Sequence, residues 1–139
     1  MGRSPTTIFR IAAAVSFGVF ALTAVTRPGI AQSGPPAADV TAGQALYQGR
    51  CAGCHSVDAD RIGPRHRDVV GRAVASVPTY SYSPALKKLG GVWTPARLDQ
   101  WLSGTQKMAP GSKMYLQMDD ASQRRLIIAY LQSVSTPKK

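Results

Sequence analysis

Apolar residues recur at helical spacing in three parts of the chain. Over Val40 to Arg50, Leu46 and Tyr47 fall on one face. Thr94-Pro95 joins an N-cap residue to a proline at the first helical position, and the helix it opens turns Leu98, Trp101 and Leu102 inward. From about Asp119 to Val134, the residues Leu126, Ile127, Tyr130, Leu131 and Val134 form one stripe behind an acidic cap, where carboxylates suit a helix N-terminus. Between these segments lie loops punctuated by Gly and Pro, notably residues 56–82 and 103–118. No stretch alternates apolar and polar residues as a half-buried strand does. The pattern predicts an all-α domain.

The N-terminus has another pattern. Arg3 and Arg10 come first, Ile11 to Val25 carry no charge, and Gly29-Ile30-Ala31 puts small residues at the two positions a signal peptidase reads. Residues 1–31 are read as a signal peptide cleaved after Ala31. An uncleaved anchor is the alternative, because the apolar stretch extended back to Ile8 approaches the ~17-residue minimum of a membrane span. Arg10 interrupts that stretch, however, and Arg27-Pro28 closes it early. Residues 32–38, small and rich in Pro and Gly, have nothing to bury and read as a flexible mature N-terminus, leaving 39–139 as the globular domain.

With 139 residues in all, the chain beyond the leader is one small domain. Lys and Arg number 17 against seven acidic residues, all Asp, for a formal charge of +10. Removing residues 1–31 takes away Arg3, Arg10 and Arg27 and no acid, so 14 bases face seven acids and the charge is still +7. Such an excess points to an acidic partner surface. Nucleic acid is the other standard partner of a basic chain, and export argues against it. Two Cys and two His exclude a disulfide-dense scaffold and leave a short supply of ligands.

Cys51-Ala52-Gly53-Cys54-His55 is C-x-x-C-H, an attachment signal for c-type haem. On one helical turn the residues at i and i+3 share a face, so both thiols reach the two vinyl groups of one porphyrin while the next residue sends its imidazole to the iron. Export agrees, since thioether attachment occurs outside the cytoplasm in a bacterium. Two other readings compete. A Cys51–Cys54 disulfide of thioredoxin type belongs to a βαβ context that is missing here. A zinc site would need Cys51, Cys54, His55 and His66, with adjacent ligands that suit a tetrahedral site poorly.

Further motifs fall in order around the pentapeptide. Gly43 and Tyr47 stand eight and four residues before Cys51, and Gly63-Pro64 and Val70-Gly71-Arg72 come after His55. Tyr80-Ser81-Tyr82 precedes Trp93, then come Pro110-Gly111-Ser112-Lys113-Met114 and Leu126-Ile127-Ile128-Ala129-Tyr130-Leu131. From about Ala42 to Ser133 the domain resembles the class I cytochromes c of the mitochondrial and bacterial c2/c550 type. The resemblance implies an all-α fold of three to four helices with long loops wrapped around one covalently bound haem c. It also accounts for those loops, because a porphyrin supplies the core they lack.

The same resemblance assigns site residues. His55 is the proximal ligand and Met114 the distal one; a thioether sulfur is soft and neutral and raises the reduction potential relative to bis-histidine ligation. Met108 and Met118 are rivals to Met114, but neither has the Pro-Gly turn that lets a loop pass close to a haem face. The Pro64 carbonyl would accept the other ring N–H of His55 and fix its orientation, although a plain turn proline is compatible with the same position. Tyr82 and Trp93, with Arg72 adding charge, would meet a haem propionate; Tyr80 is equally well a core aromatic with a satisfied polar tip. Leu86 stands where many members have Asn and Trp101 where they often have Tyr, which implies less ordered water on the distal side. His66 takes the slot of a leucine near the proximal side and carries little weight as a ligand.

Two axial protein ligands leave the iron no open position, which favours one-electron exchange over substrate activation. The resemblance thus implies a monomeric, soluble periplasmic electron carrier rather than an enzyme, shuttling between redox complexes. Arg50, Arg61, Lys107 and Lys113 correspond to the family's basic ring for acidic docking sites, with ordinary solubilising charge as the alternative. A dedicated haem subunit of a sulfite- or alcohol-oxidising dehydrogenase is a second functional class, and a peroxidase with a labile sixth ligand a third. A peptide-only core in ~100 residues is marginal, so the haem-free chain is expected to be largely unfolded.

Overall fold

A computed structural model of the chain describes residues 1, 2 and 34–136. Apart from Met1 and Gly2, the expected signal peptide lies outside the described residues, as do 32 and 33 of the stretch after it. Five helices occur among the described residues: α1 (Ala37–Arg50), α2 (Pro84–Leu89), α3 (Pro95–Ser103), α4 (Thr105–Met108) and α5 (Ala121–Ser133). The only β pairing among them is an isolated bridge between Ala73 and Val92. The architecture is all-α, and none of the described helices is long and apolar enough to cross a membrane.

Five helices exceed the expected three to four, and both additions are short. Ser83 caps α2 by accepting from the Leu86 N–H at 3.2 Å, and Pro84 presets its first turn. The four-residue α4 lies within the 103–118 segment expected as loop. Neither helix is long enough for a 3.6-residue period to show. At α1 the boundary also moves. Ala37 and Ala38, expected in the flexible stretch, are its first two residues, with Val40 N–H bonded to the Pro36 carbonyl. Alanine is the best intrinsic helix former, and Pro36 just ahead of it costs the helix no hydrogen bond.

The expected caps are present. Thr94 accepts from Arg97 N–H at 3.1 Å with Pro95 next in the chain, and the Asp120 carboxylate accepts from Ser122 and Gln123 N–H groups. On α5 the buried band is wider than one stripe: Ile128 and Ala129 are buried along with Ile127, Tyr130 and Leu131, whereas Leu126 and Val134 are half-buried. This helix is covered on two sides, by α1 and by α3. Asp39–Arg125 and Asp99–Arg124 ion pairs tie it to the same two helices; the first contributes little because both partners reach solvent.

Gly43 sets the approach of α1 to α5. A Cβ there would run into the Leu126 carbonyl oxygen and stand 3.0 Å from Tyr130 Cβ. Helix propensity alone would make Gly43→Ala stabilising by about 1 kcal/mol, but the obstacle is backbone that cannot rotate away. The variant is expected to lose about 1–3 kcal/mol instead, lowering the melting temperature of the haem protein by roughly 5–15 °C in a domain of this size. A rise in melting temperature would show that the helices separate freely at this point.

The loop from 56 to 82 is held by backbone bonds at several places. His66 and Arg67 N–H groups bond to the Ser56 and Val57 carbonyls, while Gly71 N–H bonds to the Trp93 carbonyl and Trp93 N–H to that of Arg72. The segment after the cysteine motif therefore folds back under it, which brings residues 63–72 to the site.

Candidate functional site

The end of α1 runs into the cysteine motif without a break in hydrogen bonding. Cys51 and Ala52 N–H groups bond to the Tyr47 carbonyl, and His55 N–H bonds to Cys51 O at 2.9 Å, an i to i−4 bond. This extra turn presents Cys51, Cys54 and His55 to one cavity. Cys51 is buried, Cys54 exposed, and both thiols are free, so the pair forms no disulfide. Burial, with a smaller contribution from Cys54, pushes the Cys51 thiol up to about 11. Among the described residues no cluster of three or more His, Cys, Asp or Glu could hold a metal ion, and the zinc reading finds no support.

His55 is buried, and its Nδ1 lies 2.7 Å from the Pro64 carbonyl oxygen. A carbonyl only accepts, so Nδ1 carries the proton and Nε2 keeps a free lone pair. Burial lowers the imidazole's pKa, opposed by the bond to Pro64, and favours the neutral ring that a metal needs. Gly63 lies against the Cε1 side of this ring, where a Cβ would overlap Cε1, Nδ1 and Nε2. Only glycine leaves room for the imidazole.

The cavity measures about 360 Å³, within the range of small-molecule and cofactor sites. Leu98, Trp101, Leu102, Ile127 and Leu131 form much of its wall. Cys51, Cys54, His55, Pro64, Arg72, Tyr82, Trp93 and Met114 all border it, as do Leu86 and Trp101. Of the three methionines in the folded body, Met114 alone lines the cavity; Met118 is buried in the core and Met108 packs half-buried against it. Tyr80 also borders it, but its hydroxyl donates to the Ile62 carbonyl at 2.6 Å. Tyr82 oxygen accepts from Val77 N–H at 3.3 Å and retains its own proton to donate.

Arg72 brings an unpaired donor to the cavity. Its two terminal nitrogens donate to the Arg67 and Arg65 carbonyls, while its buried Nε has no partner. A buried guanidinium donor left unpaired is costly, and an anionic group entering beside it would satisfy it. Burial is also the largest influence on its pKa, which it lowers. Together, the two thiols on one helical turn, the free imidazole lone pair, the apolar wall and the orphaned Arg72 donor fit a covalently held porphyrin with an acidic edge.

A polar latch behind Met114 has little trace in the sequence. The Met114 carbonyl accepts from Thr105 Oγ1 at 2.7 Å, Gln106 Nε2 at 2.8 Å and Ser112 Oγ at 3.1 Å. Gln106 Oε1 also accepts from Gly111 N–H, so one amide holds both ends of the Gly111–Met114 turn. The latch depends on α4, a helix too short to predict, and its only sequence signal is the adjacent polar pair Thr105-Gln106. His66, expected near the proximal side, lines the cavity; its stacking on His55 and bond to Tyr47 have no signal in the sequence. Ile62 and Tyr115 also border the cavity and are largely exposed.

Known proteins agree with this geometry. A sequence model described as cytochrome c matches residues 40–135. The chain is 38% identical over 98 residues to cytochrome c-type cyt cy of Rhodobacter capsulatus, covering 69% of this chain and 49% of that one. It is 40% identical over 84 residues to cytochrome c2 of Agrobacterium tumefaciens, covering 56% and 75% respectively. The chain thus spans about half the length of the Rhodobacter protein. Among solved structures, cytochrome cH from Methylobacterium extorquens superposes with a TM-score of 0.65 at 36% identity, over 68% of this chain and 98% of that one. The chain belongs to the cytochrome c family, electron carriers rather than enzymes, and Cys51 and Cys54 are the thiols that fit its covalently bound haem c.

Proposed function

We propose that the protein is a periplasmic one-electron carrier, ligated by His55 and Met114, that docks on acidic surfaces of membrane redox complexes or periplasmic dehydrogenases. The observation that carries this reading is that one apolar cavity is bordered by both an imidazole with a free lone pair and the sole cavity-facing methionine. A haem held there would supply one-electron exchange between ferric and ferrous iron. The chain's own residues do the rest. Pro64 and Gly63 fix the His55 ring, Thr105, Gln106 and Ser112 hold the Met114 backbone, and the apolar wall keeps water away. Arg72 Nε, with Tyr82 and Trp93 beside it, is available to bind propionate.

Charge supports the docking half of the proposal. Arg50, Arg61, Lys107 and Lys113 are exposed, and none has an ion-pair partner among the described residues. Arg61 donates to the Ala52 carbonyl and Lys113 to the Ser81 carbonyl, which fixes the two heads without cancelling their charge. Arg50 and Lys113 border the cavity itself. Electron exchange with an acidic redox protein is expected to slow roughly tenfold or more between 10 mM and 0.5 M salt, as the screening length shrinks from about 30 Å toward 3 Å. Arg50→Gln/Lys113→Gln, at the two charges that border the cavity, should reduce the low-salt rate more than Lys87→Gln/Lys88→Gln, whose lysines do not border it. Equal effects of the two pairs, measured by stopped flow, would reduce these charges to solubilising ones.

A further inference from the structure

We infer that His66 is a positioning residue for the proximal ligand, a flat platform that sets the plane of the His55 ring. The inference rests on the reading of His55 as the iron ligand. The two imidazoles are stacked, with centroids 4.1 Å apart and planes inclined by 19°. Two other restraints act on His55: the Pro64 carbonyl at Nδ1, and the Gly63 backbone on the Cε1 side. Gly63 approaches only the Cε1 end of the ring, and neither lays a parallel ring on the imidazole as His66 does. A leucine, expected at this position from the resemblance, would fill the space but impose no preferred plane.

The platform is itself fixed. His66 Nδ1 lies 3.1 Å from the Tyr47 hydroxyl, and the Tyr47 ring meets His66 edge to face at 5.7 Å and leans on Tyr130 at 5.0 Å. Tyr47 is 1% exposed, anchored where α1 packs on α5. The His66 N–H is bonded to Ser56 O, one residue beyond the ligand. Burial first, and then His55 and Arg72, lower the His66 pKa well below its ordinary value. The helix pair α1/α5 thereby transmits its rigidity to the ligand through Tyr47 and His66. Supporting groups of this kind preset a ligand's orientation before the metal is bound.

The test uses the mature haem protein. In the ferric state the paramagnetic shifts of the haem methyl protons depend on the azimuth of the axial imidazole plane, so proton NMR reads the ring's orientation directly. His66→Leu is expected to change the order or spread of these methyl resonances while the c-type optical spectrum persists. His66→Phe, which keeps a flat ring, should restore most of the original pattern. Tyr47→Phe, which removes only the hydroxyl that orients His66, should shift it in the same sense as His66→Leu. A pattern like that of the unmodified protein in either His66→Leu or Tyr47→Phe overturns the inference. If the unmodified protein itself shows no c-type spectrum, the functional reading fails instead, and the two failures are told apart by that first spectrum.

Discussion

The Cys51→Ala/Cys54→Ala chain, unable to attach haem, is expected to show a far-ultraviolet circular dichroism spectrum with little helix and no cooperative thermal transition. The reason lies in the wall of the cavity. Leu98, Trp101 and Leu102 of α3 and Ile127 and Leu131 of α5 are buried around the space where a porphyrin fits, so without the cofactor they pack against a void rather than against atoms. At roughly 24 cal/mol per Å³, a dry void of 360 Å³ costs about 9 kcal/mol. That is comparable to the whole net stability of a small domain, about 5–15 kcal/mol. Flooding the space instead leaves the same apolar side chains in water, at about 25 cal/mol per Å² of surface exposed.

Without the cofactor there remain the α1–α5 contact at Gly43 and the Tyr47–Tyr130 pair. Two helices of 14 and 13 residues are each near the lower limit of stability in water. The long 56–82 segment contributes no helix of its own and gains its order from the site it encloses. A native-like helical spectrum with a cooperative melt in the haem-free variant would mean that these helices hold a core without the porphyrin.

Much of this architecture is legible in the chain. The α3 and α5 boundaries can be read from Thr94-Pro95 and Asp120, because a cap and a first-turn proline act locally and leave their mark in adjacent residues. The C-x-x-C-H motif is legible for the same reason: its chemistry is confined to one helical turn. Contact between distant segments is what sequence does not convey. The Gln106 latch on Met114 needs α4, which is too short to carry a period, and the His66–His55 stack needs the 56–66 turn to close by backbone bonds. Arg72 is expected at an acidic edge, yet only the structure shows that two of its nitrogens already serve backbone carbonyls and that Nε alone is left over.

Met114→Ala is expected to abolish the weak long-wavelength absorption band of a methionine sulfur on ferric haem, to lower the midpoint potential, and to open the iron to cyanide. Met108 and Met118 cannot substitute, since one packs against the core and the other is 5% exposed within it, and neither borders the cavity. Thr105, Gln106 and Ser112 hold the Met114 carbonyl and Gln106 holds the preceding Gly111, so the sulfur is delivered by a loop already fixed in place. Such preorganisation makes an internal ligand hard to displace. A loop that keeps its sulfur on the metal about 99% of the time weakens an outside ligand about a hundredfold, and deleting the side chain removes that penalty. Cyanide affinity of the ferric protein should therefore rise by roughly that factor, measured by optical titration. Loss of the soft neutral sulfur should favour the ferric state at the same time, and the potential should fall. If the band and the potential both survive in Met114→Ala, the sixth ligand is another group, and the Met114 assignment falls while the covalent haem at Cys51 and Cys54 is untouched.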